Sequence, residues 1–135
     1  MAAYDLADVW AALRTTALTG TAGTTYTGGM WWGQAQPEAA TPYVTGELAS
    51  LTSLRTFAAE GFDLTVQLSL WHGLDAGAAA AAAGAAAIRA NVGRTVLSVT
   101  GLEDIACYVT NERGPLRDND LWRVDLDLTI QALEA

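Results

Sequence analysis

The side chains able to do chemistry are few and scattered. One histidine, His72, sits between Trp71 and Gly73, and one cysteine, Cys107, lies among Ile105, Ala106, Tyr108 and Val109. A nucleophile needs a base within hydrogen-bond reach, and a histidine base needs a third group to hold its ring. No such set stands out here. A lone histidine closing a strand reads as a surface or interface residue, and Cys107 among apolar neighbours reads as a small core residue. One imidazole and one thiolate would leave zinc dependent on carboxylates, which that metal rarely accepts as its main ligands. Asp118-Asn119-Asp120 has the look of a calcium loop's start, but the glycine and closing glutamate of such a loop are missing. Gly20, Gly23, Gly28 and Gly29 are not followed by Lys-Ser or Lys-Thr, so they form no phosphate loop. The expectation is a chain with no catalytic residue, no cofactor and no metal.

What remains is suited to contact. Trp31 and Trp32 are adjacent, so their rings point in different directions whatever the backbone does. One should cover a core edge and the other stay partly exposed, and tryptophan is enriched where subunits meet. Asn111 to Asp120 is a charged, turn-rich stretch, and its Glu112, Arg113, Arg117, Asp118 and Asp120 are candidates for a subunit interface. Asp125 and Asp127 fall two apart on a strand, hence on one outward face. There they repel each other mildly, either on a solvated surface or opposite arginines of a neighbouring subunit.

The elements that position these residues follow from periodicity. Leu6, Val9, Trp10, Leu13, Ala17 and Leu18 recur at helical spacing and predict a helix over Asp5–Leu18, with Asp5 as its cap. Gly20 to Pro42 reads as irregular chain with at most a short strand near Tyr26. Pro42–Leu48 reads as a strand start, and Thr52–Ala59 as the loop after it. In Glu60–Trp71, Phe62, Leu64, Val66, Leu68 and Leu70 alternate with polar residues, which predicts a strand dry on one face. Asp75–Asn91 is an alanine helix that must pack closely because methyl groups bury little area. Arg94–Thr100, Ile105–Glu112 and Leu121–Ala132 read as three further strands. The fold class predicted is α+β: a mostly antiparallel sheet with two helices on one face, in the order α-β-β-α-β-β-β.

Length and charge bound the function. The 135 residues fit one domain, 1–135, and about half are apolar, 51%. The net charge is −8 and the seven basic residues are all arginines, which argues against a nucleic-acid binder. Asp5 and Asp8 interrupt what would be a signal peptide. Ala76–Ala90 is too short and too weakly apolar to span a membrane. A single cysteine allows no internal disulfide.

The order of pieces carries a resemblance. A helix and a spacer lead to Pro42-Tyr43-Val44, then to the alternating strand Phe62–Leu70 closed by Trp71. An alanine-rich helix, a short strand and a strand–charged loop–strand ending in Trp122–Leu128 follow. This arrangement resembles the tail-completion family of tailed bacteriophages, which includes tail terminators and tail-to-head joining proteins. The segment Gly20–Gln36 has no counterpart in the resemblance, and His72-Gly73 departs from its pattern after the strand-closing tryptophan. The resemblance implies a structural, non-enzymatic subunit of a hexameric ring at the head–tail interface of a virion, assembled in the host cytoplasm. Its partners would be copies of itself, the tail tube protein and a head–tail connector or stopper protein, with no membrane. DNA would pass through without specific binding, and Asp125 and Asp127 could face the lumen, where acid repels phosphate. Two other readings compete: another neck or baseplate component of a phage-like particle, and a small ligand-binding module built on Trp31, Trp32 and Trp71.

Overall fold

A computed structural model describes residues 6–34, 40–55, 60–99 and 102–134, with side chains undescribed at 53–55, 60, 102–104 and 133–134. The first helix, α1, spans Leu6–Ala17 and buries Val9, Leu13 and Ala17, one stripe of the expected face. The predicted Asp5 cap lies outside the described residues. At its far end, the Asn91 side-chain amide donates to the carbonyls of Ala17 and Thr19 at 2.8 and 2.9 Å. Those carbonyls would otherwise lack helical partners.

The spacer is more ordered than its composition suggests. A five-residue helix, α2 (Thr21–Thr25), precedes a three-residue strand, β1 (Met30–Trp32), which runs parallel to β2 (Tyr43–Arg55). The short strand therefore falls after Tyr26, and Tyr26 itself is buried. Residues 35–39 of the spacer lie outside the description. β2 continues through Thr52–Arg55, a stretch expected to be loop; residues 56–59 are not described.

The long alternating strand, β3 (Glu60–Gly73), pairs antiparallel with β2 on one side and with β6 (Leu121–Glu134) on the other. A 3-10 turn at Leu74–Ala76 holds Asp75, and α3 begins after it at Gly77 and runs to Val92. Two more strands complete the sheet: β4 (Arg94–Val96), shorter than the expected Arg94–Thr100, and β5 (Leu102–Asp118), longer than Ile105–Glu112. Leu97–Val99 is not strand, and Thr100 is not described. The sheet order is β1-β2-β3-β6-β5-β4, and all pairs but β1–β2 are antiparallel.

Alternation explains the layering. Phe62, Leu64, Val66, Leu68 and Leu70 of β3 and Val124, Leu126, Leu128, Ile130 and Ala132 of β6 are all buried on one side. The helices cover that side. α3 lays Ala81, Gly84, Ala85, Ile88 and Val92 against it, a seam of mostly small residues that brings the helix axis close. At Gly46 of β2 a β-carbon would collide with the Trp10 ring, so the missing side chain is what lets α1 lie on the strand. The fold is α+β with helices on one face, as expected, with α2, β1 and the parallel pair added. Among the described residues, the other face carries no helix.

Candidate functional site

The helix-free face is where the sequence placed its acidic candidates, and strand register sets it out in rows. Tyr43, Trp71, Arg123 and Leu116 stand side by side across β2, β3, β6 and β5. The next row holds Thr45, Ser69, Asp125 and Arg113; a further one holds Glu47, Gln67, Asp127 and Asn111. Asp125 and Asp127 do share a face, yet neither is a free surface charge. Asp125 is only 3% exposed, so the expected solvated setting does not hold for it. Its Oδ1 accepts from the Ser69 hydroxyl at 2.9 Å and lies 3.3 Å from Arg123 Nε, close enough to pair ionically though not aligned for a hydrogen bond. Asp127 receives both guanidinium nitrogens of Arg113, at 2.7 and 3.2 Å. That partner raises the already high pKa of Arg113 through a hydrogen bond and charge attraction. Each of the two like charges thus has an arginine beside it within the chain, although Arg123 is shared with Asp118.

The other charged candidates divide in the same way. The stretch Asn111–Asp120 is not a loop. Most of it is the end of β5, which turns into β6 through Asn119 and Asp120, with Asn119 at φ 53°. The turn-forming composition marks strand irregularities: the register slips at Val109/Asn111 and again at Arg113/Leu116, around Gly114-Pro115. Such bulges admit residues that an unbroken ladder excludes. Glu112 accepts from Arg89 of α3, and Asp118 from Arg123, so both are engaged internally. Arg117 and Asp120 are exposed and have no ion-pair partner among the described residues.

The tryptophans part company as expected. Trp32 is 44% exposed on the helix side, with its ring centroid 4.5 Å from that of Trp10. Trp31 is on the opposite face, half-buried, and its indole N–H donates to the Gly28 carbonyl at 2.9 Å. Trp71 belongs to the helix-free face too. Its indole N–H donates to Thr45 Oγ1 at 3.0 Å, Tyr43 stacks on it at 6.3 Å, and the Arg123 guanidinium sits 5.7 Å from its ring centre. Trp32 is thus separated by the sheet from the other two rings, and the three do not converge on one pocket.

His72 departs from the surface role expected of it. It is 2% exposed, and its Nε2 is hydrogen-bonded to the Tyr26 hydroxyl at 2.8 Å, beneath Gly84 of α3. Burial lowers the imidazole pKa and raises that of the tyrosine, so a neutral ring is paired with a protonated phenol. An imidazole closed in this way meets no substrate. Cys107 is a core residue as expected: its thiol, pushed up to about 12 by burial, points at the Val92 carbonyl. Among the described residues no group of three or more His, Cys, Asp or Glu is arranged to hold a metal ion, and no helix is long and apolar enough to cross a membrane.

Sequence reasoning missed a set of exposed apolar side chains at the sheet's margins: Leu48 and Leu51 on β2, Val96 on β4 and Leu116 on β5. Their exposure depends on which strands end the sheet, and strand order is not written in periodicity.

No family model matches the chain, and no curated protein matches it significantly. Among solved structures, the fold is similar to a chain of the virion of a native gene transfer agent particle. The TM-score is 0.69 at 19% identity, over 97% of this chain and 99% of that one. A second solved chain gives a TM-score of 0.63 at 15% identity over 96% of each. At such identities the likeness is one of fold.

Proposed function

We propose that this chain is a structural subunit of a phage-like particle, a ring-forming tail terminator or tail-to-head joining protein. The observation that carries the reading is the end-to-end fold likeness to a chain of a gene transfer agent virion, covering 97% and 99% of the two chains. Two features of the site support it. The chain's histidine and cysteine are buried and committed to packing, which removes the usual groups for catalysis. Large apolar side chains instead stay exposed along the sheet margins, where a monomer would have little use for them.

In this reading copies of the chain close a ring on the end of the tail tube, and the ring's other face meets a connector or stopper protein. The helix-free face, with Asp125 and Asp127, lines the channel. Because each aspartate is paired with an arginine, that wall offers DNA neither a strong attraction nor an unpaired aspartate at these two positions. The net charge of −8 and the lack of lysine keep phosphate from binding.

Electron microscopy of particles produced without this chain tests the role. Overlong tails or tails without heads are expected. Tails of normal length, joined to heads, would overturn it.

A further inference from the structure

The chain has one histidine, and the fold closes it in where three of its parts meet. The Tyr26 hydroxyl reaches Nε2 of His72 from the segment that joins α1 to β2, and a β-carbon at Gly84 of α3 would come within 2.9 Å of the ring. No charge stands ready to balance a proton there. From the joining segment the ring meets a neutral phenol. From α3 it meets Gly84, whose buried seam continues through Ala81, Ala85 and Ile88, and from β6 its register partner is Trp122. β2 turns Val44, Gly46 and Leu48 to the helix side. The charged residues closest in sequence and in register are Asp75, whose carboxylate lies against Gly73, and Arg117, opposite Trp122 on β5. Both are exposed, and neither is bonded to His72 among the described residues. An imidazolium in this place is a buried cation facing no carboxylate, which must lose its proton or reach water.

The three parts are not equally held. β3 is paired with β2 and β6 along its length, and α3 buries Ala81, Gly84, Ala85, Ile88 and Val92 over most of its turns. The segment Thr21–Trp32 has less to fix it. It consists of the five-residue α2 and the three-residue β1, buries only Ala22, Tyr26 and Met30, and pairs with β2 alone, at the sheet's end. Gly20 and Gly33 flank it at φ 64° and 82°, a region glycine enters without strain, so the chain can turn at both ends. Local opening starts where few apolar contacts oppose it.

We infer that Thr21–Trp32 is a strap that acid releases: protonation of His72 frees it from β3 and α3, while β2, β3, β6 and β5 stay paired. Tyr26 is the strap's largest buried side chain and the one that touches the ring, so opening here brings the imidazole to water. It also takes β1 off β2 and bares the β2 edge at Val44–Gly46. The direction follows from burial. The closed form holds a proton less well than the open one, where the ring has its ordinary pKa of 6.5, so the closed form loses ground below that pH. With no other histidine in the chain, the window between about pH 5 and about pH 7 belongs to this ring. The strap is a property of the single chain and does not depend on ring formation.

Native-state hydrogen exchange tests this, read by NMR as protection factors so that the intrinsic pH dependence of exchange is divided out. The amides of Gly28, Gly29 and Val44, which bond to the carbonyls of Pro42, Tyr26 and Gly29, should be less protected than those of Leu68 and Leu126. Low urea should leave these three nearly unchanged, because a local opening exposes little surface, whereas protection at Leu68 and Leu126 should fall steeply. From about pH 7.5 to about pH 5.5 the three should lose several-fold in protection, up to about tenfold if the ring stays neutral in the closed form. His72→Gln should keep the response to urea and lose this drop. If circular dichroism shows that variant unfolded, NMR titration of the one imidazole takes its place, and the ring should titrate below 6.5 in the native protein. The strap would be overturned by amides at Gly28 and Gly29 that share the urea slope of Leu68, or by wild-type protection that does not change with pH. A drop that persists in His72→Gln, or a native ring that titrates at 6.5, would overturn it equally.

Discussion

The Tyr26 hydroxyl and Nε2 of His72 are hydrogen-bonded across 2.8 Å, inside the protein, at the point where the spacer meets the long alternating strand β3. The two rings meet edge to face, 5.1 Å between centroids. Their contact ties the segment after α2 to β3, and α3 closes over it at Gly84. A buried polar pair of this kind is costly to break by halves, because the remaining group keeps its desolvation penalty.

Stability should therefore depend on pH through His72. Burial lowers the imidazole pKa below its ordinary 6.5, so just under that value the unfolded chain binds more protons than the native one. The stabilisation is complete above the unfolded pKa and is lost as pH falls toward the folded one. Urea midpoints measured from about pH 7.5 down to about pH 5 should fall for wild type. In His72→Gln, which can still hydrogen-bond to Tyr26, the slope should be shallower. Parallel slopes in the two proteins would show that carboxylates alone set the acid sensitivity.

Gly84→Ala should destabilise, against helix propensity. In an open helix the exchange gains about 1 kcal/mol. Here the added β-carbon would overlap the Tyr26 hydroxyl and come within 2.9 Å of the His72 ring. Overpacking of that kind costs about 1–3 kcal/mol, which exceeds the propensity gain. Chemical denaturation should give a lower midpoint for the variant. Adding Tyr26→Phe, which removes the clashing oxygen, should recover part of the clash, so the double variant should be more stable than the sum of the single effects.

How much of this was legible depended on local pattern. The alternation in Phe62–Leu70 and Val124–Ile130 fixed two strands and their buried faces, because a period of two leaves one choice of side. α1 and α3 followed from the spacing of Val9, Leu13 and Ala17 and from the alanine run. What escaped was long-range. Met30–Trp32 is a strand only because β2 runs beside it. Asn111–Asp118 contains Gly114 and Pro115, residues of turns, but they occupy a bulge in a ladder whose partner, β6, dictates the extended form. The same holds at the site. That Asp125 and Asp127 share a face was readable from their spacing. That Arg123 and Arg113 pair with them was not, since Arg113 reaches Asp127 only once β5 lies against β6.

Cys107 should be inert while the protein is folded. Its thiol is buried and its pKa is pushed up to about 12, so thiolate is scarce at neutral pH. Alkylation by iodoacetamide at about pH 8 should run at least about a hundredfold slower than in strong urea, because only the thiolate attacks. Rapid labelling of the native protein would mean that β5 opens readily at that position. Denaturant should then raise the labelling rate in step with the loss of the circular dichroism signal, which identifies global unfolding as the route of access.

Asp125 and Asp127, two residues apart on one face, should respond very differently to the same change. Asp125→Ala leaves the Ser69 hydroxyl without its buried acceptor and takes one of two carboxylates from the Arg123 guanidinium, a loss of about 1–3 kcal/mol. Asp127→Ala removes a pair whose arginine and aspartate side chains are 42% and 25% exposed, and pairs open to solvent contribute little. Urea denaturation should show a clear drop in midpoint for the first variant and little movement for the second. The contrast also decides where a lumen role can be examined. At Asp125, lost assembly would be confounded with lost folding, whereas Asp127→Asn removes a charge from the proposed channel wall and leaves the fold in place. If the wall's charge matters to DNA passage, Asp127→Asn frees Arg113 to hold phosphate, and DNA release from assembled particles should slow. Unchanged release would take Asp127 off the lumen.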